Sequence, residues 1–190
     1  MPRVVAFNGS PRSEGNTYQM ISRVFDVLTK EGIETELIQL ADKKIRGCKA
    51  CFKCKEAGNQ KCTVADDLND CVEKMIFADG IIIGSPTYFA DVSSEVKALI
   101  DRAGIVAKVN GDLFSRKLGA AVVAARRAGS VHAFNTINQF FLIGQMIVPG
   151  SCYWNMGIGL APGDVNEDEE GMQTMQLLGE NMAWLLKKIC

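Results

Sequence analysis

Short apolar runs alternate along the chain with longer segments whose apolar residues recur every three or four positions. The runs Val4–Phe7, Glu36–Leu40, Gly80–Gly84, Leu118–Ala124 and Met146–Val148 predict strands. The longer periodic segments predict helices near Thr17–Lys30, Asp67–Phe77, Ser94–Ala103 and Ala133–Ile143. A last helix is predicted along Gly171–Lys188, where Met175, Leu178, Met182, Leu185 and Ile189 would form one buried stripe. Strands alternating with helices predict an α/β fold, a parallel sheet covered on both faces. Five strands suit the order 2-1-3-4-5, which places ligands at the carboxyl ends of the strands near the switch point. No repeat, low-complexity tract or linker divides the chain, and two stretches, 43–65 and 150–170, are irregular. The second ends in an acidic tip, Glu167–Glu170, read as a solvated turn.

Composition narrows the function classes. The chain has 190 residues, enough for a real core in one domain. Its 21 Lys and Arg nearly balance 22 Asp and Glu, and no basic block marks a nucleic-acid partner. The longest apolar runs, such as Ile81–Gly84 and Phe140–Ile143, are too short to span a bilayer. Val4 already begins a strand where a secretory signal would need a charged and then apolar stretch, so the expectation is a cytoplasmic protein without a membrane partner. His132 is the single histidine and there is no G-x-S-x-G elbow, which leaves a charge-relay hydrolase or a histidine-rich metal site little to work with. His132 itself is expected at the surface, at a helix start.

The first predicted strand runs directly into Gly9-Ser10-Pro11-Arg12-Ser13-Glu14-Gly15-Asn16-Thr17 and then a helix. Hydroxyls and free amides at a helix N-terminus make a phosphate site. The triphosphate loop Gly-x4-Gly-Lys-Ser/Thr is excluded, because five residues separate the glycines and Asn16 stands in the lysine position. The dinucleotide fingerprint G-x-G-x-x-G is also absent. What remains suits one terminal phosphate held without magnesium, hence a mononucleotide cofactor.

The sheet order then requires the loops after strands three and four to complete the site. The third strand leads into Gly84-Ser85-Pro86-Thr87-Tyr88-Phe89-Ala90-Asp91, a proline-stiffened turn able to lie along a planar ring or to serve simply as a helix entry capped by Ser93 or Ser94. The fourth leads into Ala125-Arg126-Arg127-Ala128-Gly129-Ser130, polar and glycine-bearing.

Four of seven cysteines fall in one loop as Cys48-x2-Cys51-x2-Cys54-x7-Cys62. Gaps of two let consecutive thiolates surround one metal centre, and a compact C-x2-C-x2-C run with a further cysteine is typical of cubane iron–sulfur ligation. Zinc usually takes two separated C-x2-C pairs, and a dithiol/disulfide couple is a third reading. Lys49, Lys53, Lys55 and Lys61, interleaved with the thiols, are of the sign to offset a thiolate cluster. Cys71, Cys152 and Cys190 are read as buried or incidental thiols.

Together, Gly9-Ser10-Pro11-Arg12, Gly15-Asn16-Thr17, Ser85-Pro86-Thr87-Tyr88-Phe89, Lys97 with Asp101-Arg102, and Asn138-Gln-Phe-Phe give a chain that resembles the flavodoxin-like NAD(P)H-dependent FMN reductases over most of its length. The cysteine spacing is similar to that of the family's iron–sulfur flavoprotein branch. The resemblance implies a flavodoxin-like three-layer sandwich over residues 1–190, with a cysteine-rich loop at about 43–65. It implies FMN with its phosphate on Ser10, Arg12, Asn16 and Thr17, with Gly15 also in the cofactor-binding loop, and with Pro86, Thr87, Tyr88 and Phe89 around the isoalloxazine. Arg127 and Gly129 are carried over from the third loop, and Cys48, Cys51, Cys54 and Cys62 as ligands of a 4Fe-4S cluster.

The expected function is therefore an FMN-dependent oxidoreductase that passes electrons between a donor, ferredoxin or NAD(P)H, and a small acceptor such as a quinone or flavin. Two alternatives stand beside it: a cluster-free NAD(P)H-dependent FMN or quinone reductase, and a non-catalytic flavodoxin-like carrier. No catalytic side chain is named, because the flavin carries the chemistry. The resemblance also implies a homodimer or homotetramer, for which Tyr153, Trp154 and the Phe140–Phe141 pair are candidate contacts if they do not fill the core.

Overall fold

The computed structural model describes residues 1–190 and holds a five-stranded parallel sheet. Its strands are β1 (Arg3–Asn8), β2 (Glu34–Gln39), β3 (Gly80–Pro86), β4 (Leu118–Ala125) and β5 (Met156–Ile158), in the order β2-β1-β3-β4-β5. That is the predicted order. The helices are α1 (Asn16–Lys30), α2 (Lys53–Ala57), α3 (Leu68–Phe77), α4 (Ser94–Val109), α5 (Ser130–Ile143) and α6 (Glu169–Ile189).

Two-residue alternation along the strands feeds two cores. Val5, Phe7, Ile81, Ile83, Ala121 and Val123 pack with α3, α4 and α5. Val4, Ala6, Ile82, Ala120 and Val122 pack with α1 and α6. With both faces covered, β3 and β4 read as continuous apolar runs, whereas β2 at the edge is mostly half-buried and carries Glu34 and Glu36. Arg3 and Lys74 both pair with Glu36, fastening that edge.

Two sequence expectations are corrected here. The fifth strand is not Met146–Val148. Ile147 makes one isolated parallel bridge to Leu118, and β5 proper pairs Met156–Ile158 with Val123–Ala125. Pro149, lacking a donor, follows the first piece, and the chain leaves the edge before returning at Met156. The excursion carries Tyr153 and Trp154 outward, whereas Phe140 and Phe141 are buried. The stripe on α6 is also shifted at its end: Met175, Leu178 and Met182 are buried as expected, but Leu186 completes the face, Leu185 is half-buried and Ile189 exposed. At roughly 100° per residue Leu186 falls beside Met182 on the buried face and Leu185 at its margin, whereas Ile189 is aligned with the stripe but is the last residue of the helix and is exposed there.

The acidic tip is not a bare turn. Asp168 caps α6, its Oδ1 accepting from the Gly171 amide at 3.0 Å and its Oδ2 from the Ile158 amide at 2.7 Å. No helix is long and apolar enough to cross a membrane.

Candidate cofactor site at the carboxyl edge of the sheet

The loop after β1 is folded by its own polar groups. The Ser10 amide donates to Asn8 Oδ1 at 3.1 Å, the Arg12 amide to Ser10 Oγ at 3.2 Å and the Gly15 amide to the Arg12 carbonyl at 3.2 Å. Gln39, the last residue of β2, holds it from the side: Asn8 Nδ2 donates to Gln39 Oε1 at 2.7 Å, and Gln39 Nε2 donates to the Ser10 carbonyl at 2.5 Å. At the start of α1 no side chain caps the helix and no acidic residue lies in the first turn. The amides of Asn16, Thr17 and Tyr18 find no backbone acceptor. Free donors at the positive end of a 15-residue helix, with no competing carboxylate, suit an anion.

A cavity of about 140 Å³ opens there, lined by Ser10, Arg12, Asn16, Thr17, Pro86, Thr87, Tyr88, Ala124, Ala125, Arg126, Gly159 and Leu160. Three loops predicted to converge do converge. Thr87 Oγ1 is buried without a hydrogen-bond partner, a polar side-chain atom left to a ligand across the cavity from the free amides of α1.

The expected residues divide as follows. Ser10, Arg12, Asn16, Thr17, Pro86, Thr87 and Tyr88 line the cavity, and Gly15 stands behind it as the N-cap of α1. Phe89 lies outside, fully exposed at the tip of a turn. Arg127 is replaced in the wall by Arg126: β4 ends at Ala125, so the first arginine of the pair meets the cavity and Arg127 is exposed beyond it. Gly129 does not line the cavity but abuts Thr87 and Ala90.

Asn16 and Arg12 also have protein partners. Asn16 Oδ1 accepts from the amides of Gly163 and Val165 at 2.9 and 3.3 Å, and Arg12 Nη1 donates to the Leu160 carbonyl at 2.9 Å. The loop after β5 is thus a fourth wall. Gly159 belongs to it because a Cβ there would fall 2.7 Å from Asn16 Nδ2. The Gly/Pro composition of 157–163 was its only sequence signal.

The Tyr88–Asp91 turn is closed by backbone hydrogen bonds in both directions, at 2.8 and 3.0 Å. Its central residues, Phe89 and Ala90, have φ of 48° and 63°. Such turns favour Asn-Gly, and side chains at both positions store strain of the kind found at binding sites. Asp91 anchors the turn, accepting from Thr136 Oγ1 at 2.8 Å and the Val92 amide at 2.8 Å, with His132 Nε2 at 3.6 Å. Burial pushes its carboxyl up, but these hydrogen bonds and the charges of His132 and Lys97 bring it below the ordinary value. His132 is itself exposed.

The cysteine loop forms a second cavity of about 220 Å³, lined by Cys48, Cys51, Cys54 and Cys62 with Phe52, Val64, Arg102 and Ile105 among others. All seven cysteines are free thiols. Cys48 and Cys51 are exposed, Cys62 is half-buried and Cys54 buried. Burial pushes the Cys54 thiol up, with Cys62 and Cys51 acting in the same direction. Ala50 and Phe52 sit at φ of 50° and 54°, so this loop also holds left-handed non-glycine residues. The thiols share the cavity, but no three of the His, Cys, Asp and Glu side chains are gathered as a metal-binding group. Of the other thiols, Cys71 is buried, and Cys152 and Cys190 are exposed.

Residues 2–161 match the family described as NADPH-dependent FMN reductase. The chain belongs to this family. As an NADPH-dependent FMN reductase family member it is an FMN-dependent oxidoreductase, and it falls in the iron–sulfur flavoprotein branch. It is 42% identical over 193 residues to an iron-sulfur flavoprotein of Methanocaldococcus jannaschii, with 98% of each chain covered. A Methanosarcina thermophila iron-sulfur flavoprotein is 31% identical over 189 residues, covering 98% of this chain and 96% of the relative. Among solved structures, RosB with bound 8-demethyl-8-formylriboflavin-5'-phosphate superposes with a TM-score of 0.78 at 18% identity, covering 100% of this chain and 80% of that one. NAD(P)H:quinone oxidoreductase from Methanothermobacter marburgensis gives 0.71 at 13% identity, covering 95% and 96%. These two likenesses concern the fold.

Proposed function

We propose that this FMN-dependent oxidoreductase passes electrons between a reduced donor, ferredoxin or NAD(P)H, and a small acceptor such as a quinone or flavin, using FMN together with a 4Fe-4S cluster. The observation that carries the reading is the pair of cavities themselves: one brings Ser10, Arg12, the start of α1 and the unpartnered Thr87 Oγ1 together at the carboxyl edge of the sheet, and the other is lined by all four thiols. Gln39 closes β2, the segment after it carries the four thiols, and the same Gln39 is bonded to the phosphate loop after β1.

In this reading the FMN phosphate lies on the free amides at the start of α1, with Ser10, Thr17 and Arg12, while Asn16 fixes the fourth wall. Pro86, Thr87 and Tyr88 face the isoalloxazine side, with the Thr87 hydroxyl free to donate or accept. Arg126 takes the place first given to Arg127. Cys48, Cys51, Cys54 and Cys62 hold the cluster, and the cavity's apolar members, Phe52, Val64 and Ile105, limit water around it. When bound, FMN supplies exchange between two-electron and one-electron chemistry, and the cluster one-electron transfer. The exposed Tyr153–Trp154 pair, ring centroids 4.9 Å apart, is the proposed contact of a homodimer or homotetramer.

A cluster-free NAD(P)H-dependent FMN or quinone reductase is the second reading, favoured by the separation of the thiols. Anaerobic purification with a visible spectrum and iron and sulfide analysis decides between them. About four irons per chain beside flavin absorption is the expected result. A flavin spectrum without iron after attempted reconstitution leaves the simple reductase. Assay of the same preparation with reduced ferredoxin and with NAD(P)H then identifies the donor.

A further inference from the structure

Arg102 interrupts the apolar face of α4. Val96, Leu99, Ile100, Ala103, Val106 and Ala107 turn inward, and Arg102 lies among them with 1% of its side chain exposed. Removing a guanidinium from water is costly, so its donors must be matched. Nη1 donates to Asp66 Oδ2 at 2.5 Å and to the Arg46 carbonyl at 3.1 Å, which answers the charge. Nη2 points elsewhere, to Cys62 Sγ at 3.1 Å.

That third contact is not what charge neutralisation requires. A thiol is a weak acceptor, whereas an anionic sulfur makes a charge-assisted hydrogen bond. Ion pairs as buried as Arg102–Asp66 are often replaceable by apolar residues without loss of stability, so stability alone does not account for the arrangement. Lysine, a single point charge, lacks the planar fork that reaches a carboxylate with one nitrogen and a sulfur with the other.

We propose that Arg102 is a positioning residue for Cys62: it sets the fourth thiol in the wall of the cysteine cavity, donates an N–H to its sulfur, and so raises the reduction potential of the cluster. This rests on the cluster reading above. Hydrogen bonds to cluster sulfurs and local charge are among the determinants of potential, since both favour the more negative, reduced state.

Two variants separate this role from simple scaffolding. Asp66→Asn keeps the N–H···S bond and leaves the guanidinium charge less compensated. Arg102→Leu/Asp66→Asn removes the bond while keeping the net charge of the pair. In EPR-monitored redox titrations of the loaded proteins, the midpoint is expected to move positive in the first and negative in the second. Arg102→Lys, which keeps the cation, serves where the double variant does not fold and is expected to move negative. Midpoints equal to that of the parent, with changes only in iron content or unfolding, would overturn the proposal.

A readout without the cluster keeps the two claims apart. In cluster-free protein, iodoacetamide labelling mapped to individual cysteines is expected to be several-fold faster at Cys62 in the double variant, because its sulfur is released from the guanidinium that holds it in the cavity wall. Equal Cys62 rates would overturn the Arg102 assignment. A parent protein that takes up no iron would overturn the cluster and the claim on its potential, and the labelling rates would still decide the Arg102–Cys62 contact.

Discussion

Asn16 Oδ1, at the start of α1, accepts the Gly163 amide at 2.9 Å and so ties the loop after β5 to the phosphate loop. It accepts the Val165 amide as well, at 3.3 Å. Asn16→Ala leaves two amides without their acceptor, at a cost of about 1–3 kcal/mol. The urea midpoint of the FMN-free protein is expected to fall accordingly and FMN affinity to fall with it, since the fourth wall is released. An unchanged FMN-free midpoint with weaker FMN binding would instead place Asn16 on the ligand alone.

Arg12 is exposed, and its protein contact is the Leu160 carbonyl. In the proposed site its charge serves the phosphate, so Arg12→Ala is expected to discriminate between FMN and riboflavin. Loss of one charge-assisted hydrogen bond, about 1.5–3 kcal/mol, corresponds to roughly 10- to 150-fold weaker FMN binding with riboflavin binding unchanged. Fluorescence titration with both ligands measures the ratio. Equal losses for the two would remove Arg12 from the phosphate.

The contrast between Arg12 and Arg126 shows where sequence reading reaches its limit. The β1–loop–α1 unit was legible because strand, glycines, hydroxyls and helix periodicity follow one another locally, and the sheet order followed from strand–helix alternation. Which of two adjacent arginines enters the cavity depends on the residue at which β4 stops pairing, and that is set across the sheet. Gly159 and Leu160 were hidden because the fifth strand is made in two pieces, with the apolar run Met146–Val148 supplying a single bridge. The four thiols were legible as a group by spacing, but not Arg102. It entered the sequence reading only within the motif of Lys97 with Asp101-Arg102, and its one link to the core is a charge inside the stripe Leu99, Ala103, Val106.

Cys71 offers a check on the burial of the core under the cysteine loop. It is packed with Leu68, Val72 and Met75 of α3, and burial pushes its thiol up to about 11. A raised value means that its contribution to stability is complete below the unfolded value, about 8.5, and is lost as pH rises toward the folded one. The stability difference between the parent and Cys71→Ala is therefore expected to be constant through neutral pH and to shrink between about pH 8.5 and 11. Urea unfolding at a series of pH values measures it. A difference that stays flat through this window would mean that the thiol is hydrated. At neutral pH Cys71 should also resist alkylation that readily reaches exposed Cys152.

Gly129 tests whether the aromatic turn has to sit where it does. Its φ is +89°, and a Cβ would lie 2.9 Å from Ala90 Cα and 3.3 Å from Thr87 Cγ2. Gly129→Ala therefore adds a backbone strain of about 1–3 kcal/mol and a push on the turn that carries Thr87. Gly32 has a comparable φ of +77° with nothing within 4 Å of its Cβ position, so Gly32→Ala carries the strain without the push. Both variants are expected to lower the thermal midpoint, but only Gly129→Ala should weaken FMN binding. Matched losses of FMN affinity would show that the Thr87–Ala90 turn need not be held against Gly129. Selective loss in Gly129→Ala would show that the strained Phe89–Ala90 pair is kept in place by the close approach of α5.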